Sequence, residues 1–174
     1  MKIILLGYMG SGKTTVGKQV AERLKLQFLD LDDFIEKKEK MSIANIFVSK
    51  GELYFRKQEH IHLKEVLQQQ NNFVLSVGGG TPCYGKNLEV ILNSSKTVFY
   101  LKVPIAELAQ RLSEQKAQRP LISHIPDDEL PEFIGKHLFE RSRFYNQAHE
   151  VIDCGSKEPE IVVNEIVGKL GKIF

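Results

Sequence analysis

Residues 7–15 read GYMGSGKTT and follow the apolar run KIILL. The spacing Gly7-x-x-x-x-Gly12-Lys13-Thr14 suits a polyphosphate cradle. Glycines let successive backbone N–H groups turn toward one anion. A helix opening near Lys13 adds its positive N-terminal end. Lys13 can reach the β- and γ-phosphates of a nucleoside triphosphate, and the Thr14 hydroxyl can coordinate Mg2+. Gly10, Ser11, Gly12 and Thr15 belong to the same binding set. Motors, switches, transporters and kinases all use such a loop, so the motif names a ligand before it names a reaction.

The next chemistry lies in LDLDD, residues 29–33. Read as the end of a strand, it puts Asp30 and Asp32 on one face, because residues two apart point the same way. Beside a magnesium triphosphate, one carboxylate can hold the metal while the other accepts a proton from an attacking hydroxyl. Aspartate also caps helices, and one of Asp30, Asp32 and Asp33 is expected to cap a helix starting near Asp33. VGGGTP (77–82) places Gly78, Gly79 and Gly80 after another apolar run, where backbone N–H groups lie bare to a ligand. That run, FVLSV, does not end in the aspartate that many such proteins use for metal, which leaves the metal to Thr14 and Asp30. Arg56, Arg119 and Arg141 stand out by context, each a planar fork suited to a carboxylate or phosphate.

Strand-like and helix-like stretches alternate around these residues. Strands are expected at 2–6, 27–31, 73–77, 97–101 and 149–154. Helical spacing appears at 13–25, 52–69, 104–115 and 159–170; the stripe at 52–69 runs through Phe55, Ile61, Leu63 and Leu67, less cleanly than the others. Such alternation predicts an α/β fold with a five-stranded parallel sheet covered on both faces. The 174 residues suit one domain, 1–174. SEQKAQRPLISHIPDDELPEF (113–133), with three prolines, is a lid candidate, and Asp127, Asp128 and Glu129 read as a helix start. A formal net charge of +2 gives no bulk case for nucleic acid or a membrane surface. No run is long enough to span a bilayer, so a cytoplasmic location is expected.

The segments GYMGSGKTT, FLDLDDFIE, SIANIF, GELYFRKQE, VGGGTP, QRPLI and ERSRFY occur in this order. Together they resemble the shikimate kinase family over nearly the whole chain. The resemblance implies a P-loop kinase fold with strand order 2-3-1-4-5, a substrate-binding region at about 32–60 and a lid at about 112–126. It implies transfer of the ATP γ-phosphate to the 3-hydroxyl of shikimate, with Mg2+, on the route to chorismate and aromatic amino acids. Position by position, Asp32 matches the base, Asp30 the carboxylate near the metal, and Arg56 and Arg141 the pair on the substrate carboxylate. Gly79 matches a backbone contact to substrate within Gly78–Gly80, Glu59 a supporting acid, and Phe47 and Phe55 ring-lining aromatics. Arg119 matches a lid arginine that joins Lys13 on the ATP phosphates, and Arg111 an adenine-side arginine. Where the family often reads R-x-P-L-Y, this chain reads Arg141-Ser142-Arg143-Phe144-Tyr145, which offers two arginines for one role, Arg141 in register.

Other constellations carry less. His60 and His62, two apart on a helix, face apart, so a shared metal is not expected. His124 and His137 have no partner in sequence, and hydrogen-bonded or solvated roles are expected for the histidines. Cys83 and Cys154 read as free thiols. A GTPase switch would need N-K-x-D and D-x-x-G motifs that the chain lacks. A kinase for another hydroxy acid such as gluconate, or a degenerate nucleotide-binding regulator, are the alternatives. With no interface stripe left over, a monomer is expected.

Overall fold

The computed structural model describes residues 1–116 and 121–173. Five strands form one parallel sheet: β1 Lys2–Leu6, β2 Gln27–Asp30, β3 Phe73–Ser76, β4 Thr97–Lys102 and β5 Glu150–Asp153, in the order β2-β3-β1-β4-β5. The strands are short and apolar because both faces are covered. Ile3 to Leu6 of β1, all of β3, and β4 up to Leu101 are buried, with no polar-out alternation.

The connections are α1 Lys13–Leu24, α2 Leu31–Glu39, α3 Ile43–Gln68, α4 Asn87–Ser94, α5 Ile105–Ser113, α6 Leu130–Tyr145 and α7 Pro159–Ile173. Helix α1 packs on α7 and across β2 and β3, α3 packs on α2 and α4, and α5 packs on α6. Among the described residues, no helix is long and apolar enough to cross a membrane.

Three elements depart from the sequence reading. Strand β2 stops at Asp30 and the chain turns at once into α2. Asp30, in extended backbone, is the N-cap: its Oδ1 accepts from the backbone N of Asp32 at 3.0 Å. Asp30 and Asp32 therefore do not share a strand face; the first ends the strand and the second sits in the first helical turn. Helix α3 starts at Ile43, nine residues before the expected start, and kinks at Gly51, where φ is +82°. Ile61, expected on its buried stripe, is 44% exposed, whereas the polar Glu59 and His62 are buried. Those two side chains broke the apolar periodicity. Helix α4 was not expected at all.

Candidate active site

The phosphate-type loop links β1 to α1 and bends through Gly10 (φ +79°) and Gly12 (φ +86°), left-handed conformations that glycine adopts without strain. Val16 N donates to Gly12 O at 2.9 Å, the first bond of the helix. Lys13 folds back over the loop, and its Nζ donates to Gly7 O at 2.9 Å and Tyr8 O at 3.0 Å. Arg111, on α5, donates to Gly10 O at 3.2 Å and pairs with Glu107. A cavity of about 410 Å3 opens over the loop. Its lining takes in Gly10, Ser11, Gly12, Lys13, Thr14, Thr15, Asp30, Asp32, Gly78, Gly79 and Arg111 of the sequence-derived set, joined by Gln115, Cys154, Lys157, Pro159 and Val162.

Two carboxylates face this cavity. Thr14 Oγ1 donates to Asp30 Oδ2 at 3.1 Å, so a hydroxyl and a carboxylate converge on one point. Asp32 keeps some surface open, but protein closes around most of it. That burial pushes its carboxyl up to about 7, the carboxylates of Asp30 and Glu59 add to the rise, and Lys13 opposes it.

The triglycine segment leaves β3 and meets three parts of the site in turn. A Cβ on Gly78 would lie 3.0 Å from Asp32 Oδ1. One on Gly79 would lie 3.3 Å from Met9 N and 3.4 Å from Gly7 O, the backbone of the phosphate loop. One on Gly80 would lie 3.1 Å from both terminal nitrogens of Arg56. The absence of side chains here is what lets an acid, a phosphate loop and a guanidinium crowd one short stretch of chain.

Beyond Gly80 the polar groups are tied down. Arg56 Nη1 donates to Glu59 Oε2 at 3.0 Å, and Glu59 Oε1 accepts from Thr81 Oγ1 at 2.7 Å, leaving Glu59 1% exposed. The Arg56 guanidinium lies 3.7 Å from the Tyr84 ring centroid and 5.1 Å from that of Phe55, which packs on Phe47 at 4.7 Å. Arg141, on α6, lies 5.6 Å from the Tyr8 ring centroid. Burial raises the Cys83 thiol to about 11, while Arg141, Arg56 and Arg143 act to lower it. Arg119 falls outside the described residues.

A family model described as shikimate kinase matches residues 9–171. The chain belongs to the shikimate kinase family. It is similar to a shikimate kinase from Flavobacterium psychrophilum, 42% identical over 95% of this chain and 96% of that protein. Among solved structures, it resembles shikimate kinase from Bacteroides thetaiotaomicron (TM-score 0.89, 37% identity, 99% and 97% of the two chains). It also resembles shikimate kinase from Acinetobacter baumannii in complex with shikimate (TM-score 0.89, 32% identity, 98% and 93%).

Against the shikimate kinase pattern, the geometry separates the two arginines of the ERSRFY segment. Arg141 turns inward onto Tyr8, whereas Arg143 is exposed and lies against Phe144. Several members of the site escaped the sequence reading. Thr81 is fully buried and holds Glu59; Tyr145 donates to Gly79 O and stacks on Tyr100 at 5.0 Å; Asn87 Nδ2 donates to Thr81 O at 2.9 Å and its Oδ1 contacts His60 Nδ1 at 2.7 Å. Thr81 sits inside VGGGTP and was there to be found. Tyr145 carries no local signal, because Gly79 is 66 residues away, and the His60 partner of Asn87 is 27 residues away. Cys83 and Cys154 are free thiols. Among the described residues, no group of three or more metal-binding side chains forms.

Proposed function

We propose that this chain transfers the γ-phosphate of ATP to the 3-hydroxyl of shikimate, giving shikimate 3-phosphate and ADP in the pathway to chorismate and aromatic amino acids. The observation that carries the reading is the triglycine contact series: within three residues the chain touches Asp32, the phosphate loop and Arg56. Phosphate donor, proton acceptor and acid clamp are thereby neighbours.

The residues fit both ATP and Mg2+. Glycine bends, a helix N-terminus and Lys13 form a cradle under a cavity, with Arg111 and the α7 end of the cavity on the base side. Thr14 and Asp30 form an oxygen donor pair of the kind Mg2+ takes and would hold it beside the phosphates. When bound, Mg2+ neutralises charge on the phosphate oxygens. Lys13 would leave the loop carbonyls for the β- and γ-phosphates. Arg56 and Arg141 grip the shikimate carboxylate, Glu59 and Thr81 fix Arg56, and the Phe47–Phe55 pair lines the ring's apolar side.

Asp32 accepts the proton of the 3-hydroxyl as its oxygen bonds to the γ-phosphorus. The bond from that phosphorus to the β-phosphate oxygen breaks, and ADP leaves. A loose transition state asks for position and charge neutralisation more than for a strong base. A substrate region at about 32–60 and a lid at about 112–126 belong to the same reading. The described lid residues are anchored by buried Ile122 and Ile125 and by Lys116 Nζ on Asp127 Oδ1 at 2.5 Å.

A coupled ADP-release assay with shikimate, gluconate or no acceptor tests this. ADP release should depend on shikimate. Preference for gluconate, or slow hydrolysis indifferent to shikimate, would assign the site to another kinase or to a regulator.

A further inference from the structure

Tyr8 is held at both ends by different parts of the site. Its backbone carbonyl accepts from Lys13 Nζ at 3.0 Å, while its hydroxyl meets His137 Nδ1 at 2.9 Å. The ring is 1% exposed. His137 lies one helical turn before Arg141 on α6, so the two side chains share a face. His137 also packs between two rings, Phe133 at 4.4 Å and Tyr8 at 6.1 Å, the latter edge-on at 61°. The Arg141 guanidinium lies 5.6 Å from the Tyr8 ring centroid, within cation–π range.

The surroundings favour the neutral form of both groups. Burial pushes the Tyr8 phenol up to about 12, so it stays protonated. Burial also lowers His137, and the Arg141 cation lowers it further, with Glu140 opposing. His137 is thus a neutral imidazole, and in either tautomer its Nδ1 shares one hydrogen bond with the Tyr8 hydroxyl. Pinning the hydroxyl fixes the Tyr8 ring in rotation, and that ring, together with a hydrogen bond to Tyr145, holds Arg141.

We propose that His137 is a positioning residue for the acid site: it anchors the Tyr8 hydroxyl, and the Tyr8 ring sets the Arg141 guanidinium. The bridge ties α6 to the phosphate loop, so the acid clamp and Lys13 keep a constant separation. This rests on the reading of Arg141 as a shikimate-carboxylate ligand.

Steady-state kinetics on Tyr8→Phe, His137→Phe, the double variant, His137→Asn and Arg141→Lys test it. Tyr8→Phe and His137→Phe should each raise the KM for shikimate about fivefold, with kcat and the KM for ATP held within about twofold. The double variant should be no worse than either single one, since both remove the same bond. His137→Asn, which keeps an acceptor near the Nδ1 position, should restore the KM. A role in packing alone would not be rescued by asparagine and would lower thermal stability without a KM split. Additive losses, an unchanged shikimate KM in Tyr8→Phe, or asparagine as impaired as phenylalanine would overturn the proposal. Tyr8→Phe loses one oxygen and decides the matter alone if His137→Phe does not fold. If Arg141→Lys leaves the shikimate KM unchanged, the reading of Arg141 fails and this proposal with it. If Arg141→Lys raises it while Tyr8→Phe does not, only the positioning role fails.

Discussion

Replacing Asp32 by asparagine should make the ligand-free protein more stable, and more so at higher pH. The carboxyl rises from 3.8 to about 7 in the folded chain, first because it is buried and then because Asp30 and Glu59 lie close. The folded state therefore holds this proton more tightly than the unfolded chain does. The contribution of Asp32 to stability is full below 3.8 and is lost as pH rises from there through about 7. At about 1.4 kcal/mol for each tenfold change in proton affinity, ionised Asp32 costs the fold about 4 kcal/mol at pH 8 and less than about 2 kcal/mol at pH 5. Asparagine keeps the shape and one acceptor without the charge. It leaves the backbone N of Asp32, and hence the Asp30 cap, in place. A domain of this size gains about 2–4 °C in Tm per kcal/mol. In metal-free buffer at pH 8, the variant should melt about 8–16 °C above the parent, and at pH 5 the gap should be less than half as wide. Thermal unfolding followed by circular dichroism at the two pH values reads this directly. A variant less stable at pH 8, or a gap independent of pH, would refute the claim that the site holds a strained charge. The same variant should lose phosphoryl transfer about a hundredfold or more while binding ATP normally, so that stability and activity trade against each other at one carboxylate.

Two substitutions examine the neighbouring contacts. Arg56→Lys keeps a charge but loses the fork that joins Glu59 and the flat face that lies on Tyr84, so the KM for shikimate should rise about tenfold or more with ATP binding intact; equal KM would remove Arg56 from the acid site. Gly78→Ala puts a methyl 3.0 Å from both Asp32 Oδ1 and Thr81 Oγ1, so kcat should fall about tenfold or more in steady-state assays; unchanged kcat would mean that the carboxylate has room to move without consequence.

The phosphate loop was legible because its chemistry is local: a strand, glycine bends, Lys13 and Thr14 all lie within a dozen residues. The parallel sheet was legible because β1, β3 and β4 are buried on both faces and so read as unbroken apolar runs. Strand order came from resemblance, since no local feature says which parallel strand lies beside which. LDLDD was misread in part because Leu31 and the aspartates satisfy both a strand end and a capped helix start, and tertiary packing chose the helix. The buried stripe of α3 was obscured by Glu59 and His62, polar residues that pair both within the helix, with Arg56 and Glu65, and beyond it, with Thr81 and Glu39. Arg141 and Arg143 were indistinguishable as residue types. Helical rotation separates them, putting one over Tyr8 and the other in solvent.

A crystal structure with Mg2+, a non-hydrolysable ATP analogue and shikimate tests the shared pocket most directly. It should show the shikimate carboxylate on Arg56 and Arg141, the 3-hydroxyl within hydrogen-bond reach of Asp32, and the triphosphate tail at Lys13 and the Gly10–Thr15 loop. Shikimate bound away from Asp32, or held by Arg143 on the outer face, would contradict it.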